Sequence, residues 1–140
     1  MREAQDVARR RGGLEEARRA AALRPDDPAA QLALAAAAQA AGRTDEAVAA
    51  AQAAGRLEPT DPTPRLALAD IFQRARRYDE AVALYREVLD QAPDLPRAVA
   101  GLGLIYLTLG WTRDARDLLE KAVQAHPDDR PLQSALALAY

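Results

Sequence analysis

The sequence predicts an all-α protein made of stacked antiparallel helix pairs, and three observations carry that prediction. A spacing of 34 residues organises nearly the whole chain: Pro25, Pro59, Pro93 and Pro127 stand 34 apart, and so do Ala47, Ala81 and Ala115. Two independent series in one register mark an internal repeat. Alanine, the strongest helix former, supplies 35 of the 140 residues and only six are aromatic, so much of the 49% apolar content is low-volume helix former. Within each period Asp and Pro open an apolar stretch, a short break follows, and a second amphipathic stretch runs to the next Pro.

The elements follow in chain order within a single expected repeat domain, residues 1–140. Residues 1–27 read as an irregular half-repeat. Three repeats follow at 28–61, 62–95 and 96–129, each expected to form two antiparallel helices of about a dozen residues. Residues 130–140 start a further helix or form a C-terminal capping helix. Asp27, Asp61 and Asp129 fall just before helix starts, where a carboxylate accepts unpaired N–H groups, and Pro28, Pro62, Pro96 and Pro131 follow at or near the first turn. Gly42 and Gly110 mark the break inside a pair, with Thr44 and Thr112 as expected caps of the second helix. Arg76 takes the glycine position in the middle repeat, so a different turn is expected there.

At this point the chain resembles the tetratricopeptide repeat family, whose pattern runs W-x2-L-G-x2-Y, then A-x3-F, then P over 34 residues. Repeat 96–129 matches it with Val99, Leu102-Gly103, Tyr106, Ala115, Leu119 and Pro127. In 62–95 the same places hold Arg65, Leu68-Ala69, Phe72, Ala81, Tyr85 and Pro93. In 28–61 they hold Gln31, Leu34-Ala35, Ala38, Ala47, Ala51 and Pro59, and the leading Trp is never Trp. The resemblance covers about residues 12–140 and implies a right-handed α-solenoid, a tetratricopeptide-like superhelix. The RNA-binding pentatricopeptide type fits less well, having a period nearer 35 and a basic groove.

The pattern sets expectations about packing. Ala69 and Gly103 admit a neighbouring helix, whereas Phe72, Tyr85, Tyr106 and Leu119 fill the space between layers. Repeat 28–61 has Ala38 and Ala51 at positions that are bulky later, so its helices must pack closer or its core is thin. It is expected to be the softest full repeat, held more by helix propensity than by burial.

Several chemistries are disfavoured. The chain has no Cys, which removes disulfides, thiolate metal sites and cysteine nucleophiles. Its one histidine, His126, lacks a second ligand at metal spacing and reads as a helix C-terminal residue interacting with terminal carbonyls. Asp26-Asp27, Asp128-Asp129 and Asp94 lack the alternating ligands and central Gly of a calcium loop and read as caps. Asp45-Glu46 and Asp79-Glu80 favour the helix dipole at the start of second helices. No phosphate loop or nucleophile elbow occurs. The chain is therefore expected to be a non-enzyme, with no cofactor, no metal and no small-molecule substrate.

Net charge of −2 and pI near 5.4 argue against a nucleic-acid partner. Residues 1–24 carry seven Arg against four acids, including Arg9-Arg10-Arg11, read as a solvated helix end. No window approaches the roughly 20 apolar residues of a membrane span. A cytoplasmic rather than periplasmic protein is expected, and loss of a signal or anchor from this sequence is compatible with that. The bias of 18 Arg to one Lys, with the Ala content, suggests GC-rich codon usage and a bacterial source.

What remains is surface. The resemblance implies that the first helix of each repeat lines a concave side. Reading its outward face at steps of three and four gives Leu32, Ala36, Gln39, Leu66, Asp70, Gln73, Arg74, Arg97, Leu104, Leu107 and Thr108. Leu32, Leu66, Leu104, Leu107 and Leu138 form an apolar stripe around a polar centre, so a protein or peptide is the expected partner, bound as an amphipathic helix or extended segment. Some family members clamp a carboxyl-terminal peptide with Lys, Asn and Arg here. Leu32 and Ala36, Leu66 and Asp70, and Ala100 and Leu104 occupy those places instead, so that mode is not expected. The alternative function is self-assembly through the C-terminal helix, with Leu136, Leu138 and Tyr140 as contacts. Its sequence LQSALALAY lacks the polar outer face of a finished array, which suggests a fragment of a longer array or an end that stacks on another copy.

Overall fold

The computed structural model describes residues 2–140, and these form eight α-helices. They are α1 (Arg2–Leu23), α2 (Pro28–Ala40), α3 (Thr44–Leu57), α4 (Pro62–Arg74), α5 (Tyr78–Gln91), α6 (Pro96–Thr108), α7 (Thr112–Ala125) and α8 (Arg130–Ala139). The chain divides into two compact units, one ending at Ile71 and one beginning at Phe72, with the boundary inside α4. A repeat chain buries each helix against its near neighbours, which leaves no single core to bind the whole.

In the first unit α1 packs on α2 and α2 on α3. Each side chain buried in α2 and α3 is alanine: Ala35, Ala38, Ala47, Ala50, Ala51 and Ala54. The pair accordingly packs more closely than α6 and α7, because side chains this small keep no distance between backbones. The expected half-repeat contributes one long helix, α1, tied down by Arg18, whose Nε and Nη2 donate to the two Glu46 oxygens at 2.7 Å each. That bidentate partner holds the Glu46 carboxyl below its usual range.

In the second unit α6 is central, meeting α5, α7 and α8 and burying Val99, Leu102, Ile105 and Tyr106. Two of its glycines are required by close approach. A Cβ on Gly103 would lie 2.9 Å from the Cδ2 and Cγ of Leu119, and one on Gly101 would lie 2.4 Å from the ring tip of Tyr85.

Helix starts divide into two kinds. Asp27, Asp61 and Asp129 accept from the backbone N–H of Ala29, Thr63 and Leu132 at 2.9–3.0 Å. Thr44 and Thr112 are not caps; they are the first helical residues behind Arg43 and Trp111, and no side chain caps α3, α5 or α7. Acids in the first turns of those helices supply the negative charge instead.

The turn at Arg76 does not differ from the others. Arg76 has φ 62°, beside 76° for Gly42 and 83° for Gly110. All three turns carry the same two bonds, including Arg43, Arg77 and Trp111 N–H donating at 2.8 Å to the carbonyls of Ala38, Phe72 and Tyr106. This is the glycine-type helix stop in which the sixth residue returns to the first. Arginine therefore holds a left-handed conformation that costs an L-residue roughly 1–2 kcal/mol. Arg76→Gly is expected to stabilise the protein by about 1 kcal/mol, read as a higher urea midpoint.

Candidate partner-binding surface

The residues expected on the outward face of the first helices fall into different environments. In the first unit Leu32 is half-buried and Ala36 exposed. Gln39 is half-buried, with its Nε2 shielded from solvent and not hydrogen-bonded. Leu66 is not on an open face: it is 6% exposed and belongs to the core. Pro64, Leu68 and Ala69 of the same helix are buried with it, so a position that helical spacing places outward is not an exposed one here. A charge at 66 would report on folding, not on binding. Asp70 is half-buried.

The second unit keeps more of the stripe open. Leu104 is 37% exposed, Leu107 is half-buried, and Leu138 on the adjoining α8 is 71% exposed. Leu104 and Leu138 stand 34 residues apart, so they occupy the same register on two helices in contact. Arg97 and Thr108 are exposed on the same helix as Leu104, and the Thr108 hydroxyl donates to the Leu104 carbonyl at 2.9 Å; Arg74 is exposed at the end of α4. Ala100, which shares the face, is buried.

Gln73 is half-buried and its Oε1 accepts from the Tyr85 hydroxyl at 2.9 Å. Tyr85 reaches it only because Gly101 has no Cβ in the way. By the repeat pattern Tyr85 is filler between layers, and its bond to Gln73 is not expected. The signal was present: at the register of Ala33, Ala67 and Ala135 only position 101 is glycine, in the repeat that follows the one Tyr among Ala51, Tyr85 and Leu119.

At the C-terminal end Leu136 is half-buried and Tyr140 is 75% exposed. The Arg116 guanidinium stacks 4.7 Å from the Tyr140 ring centre and Nη2 donates to the Ala139 carbonyl. The Tyr140 hydroxyl donates to Glu120, which raises the phenol above its ordinary value. His126 differs from expectation, since its Nε2 faces the Asp94 carboxylate at 3.4 Å rather than helix carbonyls.

Two further features escaped sequence reasoning. Trp111 is exposed and leans on Tyr106, ring centres 5.5 Å apart, while Arg77 covers Phe72 at 4.5 Å. Both pairs span the residues joined by the return bond of the turn, where an apolar contact usually accompanies it. The place of the family's leading Trp has also been reused: Gln31, Arg65 and Gln133 donate to the carbonyls of Pro25, Pro59 and Pro127.

No helix among the described residues is long and apolar enough to cross a membrane. Residues 28–71 and 72–139 each match a family described as tetratricopeptide repeat. No curated protein matches the chain. Among solved structures, TTC0263, a thermophilic TPR protein in Thermus thermophilus, shares 23% identity over 90% of this chain and 70% of its own, with TM-score 0.79. MamA shares 18% over 99% of this chain and 80% of its own, with TM-score 0.75. MamA 41-end from Desulfovibrio magneticus RS-1 shares 22% over 99% and 80%, with TM-score 0.73. The all-helical architecture is that of these repeat solenoids, a fold that in general serves as a non-catalytic scaffold for protein partners. With both stretches matched, from the first helix pair through α8, the chain belongs to the tetratricopeptide repeat family.

Proposed function

We propose that this protein is an interaction scaffold that takes an amphipathic helix or extended segment of a protein partner across the strip formed by α6 and α8. The observation that carries the reading is the pair Leu104 and Leu138, exposed in one register on touching helices, with Leu107 beside them and Arg97 and Thr108 at the edge. Apolar residues held in a row by rigid helices, with polar groups at the margin, suit a partner that presents anchors at helical spacing. The first unit offers less on its corresponding face, because Ala36 is small and Leu66 lies in the core.

A panel of peptides with leucine or isoleucine at helical spacing, titrated by fluorescence anisotropy, tests this. Some members are expected to bind, and Leu104→Glu is expected to weaken them about tenfold or more without changing thermal unfolding. A panel in which nothing binds, or binding unchanged in Leu104→Glu with Leu138→Glu, would sink the proposal.

A second reading is self-association through α8, supported by the exposure of Tyr140 beside the half-buried Leu136.

A further inference from the structure

Charge is unevenly spread through the repeat register, and positive charge gathers at one cavity. Counting back by 34, the places of Thr44, Asp45 and Gln52 on α3 fall at Arg10, Arg11 and Arg18 on α1. On α5 the same places hold Tyr78, Asp79 and Arg86, and on α7 Thr112, Arg113 and Glu120. Of the four helices only α1 has arginine at all three. Asp45 and Asp79 answer the positive end of a helix that starts there, whereas α1 is already helical from Arg2. Position 11 therefore lies in a helix interior, where no helix end calls for an acid, and the charge is reversed.

The three arginines line a cavity of about 630 Å³ within the first unit. Two packed elements make its walls: α1, beside the buried Leu14, and the end of α2 with its turn, from Gln39 to Arg43. Arg18 is already paired, holding Glu46 by two bonds of 2.7 Å and Glu15 at 2.8 Å. The side chains of Arg10, Arg11 and Arg43 form no ion pair or hydrogen bond with any described residue. Arg18 is the main group that keeps Glu46 ionised, and Arg43 adds a lesser share without bonding to it. Gln39 contributes an amide nitrogen that has no acceptor. Because α2 ends where α3 begins, their dipoles largely offset at the turn, and the guanidiniums set the sign of the field. In a chain of net charge −2 this is a local property of the cavity.

We propose that this cavity is a second binding site, which takes the side-chain carboxylates of an acidic segment, Asp or Glu in succession, of a protein partner. The contact has an internal precedent in Arg18, which already grips a carboxylate by both oxygens. Arg10, Arg11 and Arg43 offer the same planar fork to carboxylates from outside. A volume of about 630 Å³ admits more than one side chain, which favours a run of acids over a lone carboxylate. The site is built from α1 and the α2–α3 turn and not from the outward face of the first helices, so it stands or falls independently of the α6–α8 strip.

Fluorescence anisotropy on the full chain tests it, with a labelled peptide of successive glutamates and its all-glutamine counterpart as probes. The glutamate peptide is expected to bind at low salt, at least tenfold more tightly than the glutamine peptide, and to weaken as salt is raised. Arg10→Glu with Arg43→Glu is expected to lower its affinity about tenfold or more. Arg113→Glu with Arg130→Glu makes the same change of charge at exposed positions outside the cavity and is expected to alter affinity less than about twofold. Should the first pair unfold early, Arg10→Gln with Arg43→Gln removes the charge without reversing it and is expected to show the same direction of loss. A glutamate peptide that does not bind, or equal losses in the two glutamate-substituted pairs, overturns the proposal. A single-stranded oligonucleotide that binds more tightly than the peptide and depends on the same arginines overturns a protein segment as the occupant.

Discussion

Truncating Leu119 to alanine is expected to lower the stability of the folded chain by about 2–5 kcal/mol, seen as a lower urea midpoint. Leu119 is fully buried in the second unit, and its branched end fills the gap left by Gly103 on α6. The removed methyl groups lose their transfer energy, and two helices fixed by several other contacts cannot close over the cavity. A substitution on the facing helix isolates the contact. Gly103→Ala alone puts a Cβ 2.9 Å from Leu119 and is expected to destabilise, despite the roughly 1 kcal/mol that alanine gains in a helix interior. In the Leu119→Ala background the same change is expected to stabilise. Effects of the two that simply add would show that the contact does not hold the pair together.

The second large effect is expected at Gly101, where alanine should cost about 1–3 kcal/mol. Its Cβ would stand 2.4 Å from Cζ and 2.5 Å from the hydroxyl of Tyr85, a side chain that is buried and cannot swing into water. The ring must shift, and the bond to Gln73 goes with it. Tyr85→Leu removes the ring tip, so Gly101→Ala in that background is expected to be neutral or stabilising by up to about 1 kcal/mol. Thermal unfolding of the four proteins of the cycle decides it. An alanine at 101 that is tolerated with Tyr85 intact would mean the ring does not pass there.

How much was legible from residues alone varied with the range of the interaction. The helix pairs, their order and the Asp caps are local properties: period, propensity and side-chain reach of two or three residues specify them. The alanine packing of α2 and α3 was legible as well, because Ala38 and Ala51 stand in a register that the later repeats calibrate. Thr44 and Thr112 misled, since a good capping residue one place too late looks the same in sequence as one in place. Arg76 misled in the other direction. Return bonding across six residues imposes the left-handed turn, whatever side chain stands there.

The surface was harder. Helical spacing placed Leu66 and Leu104 on the same face with equal weight, and only the packed structure separates them, burying one and exposing the other. The family, the repeat length and the set of residues able to pack could all be read from the chain as written, because they follow from a periodicity that every repeat restates. Packing in three dimensions was needed to settle which outward residues stay open and that Tyr85 threads past Gly101 to Gln73. Exposure is set by what lies across a gap from another part of the chain, and no spacing within one helix carries that information.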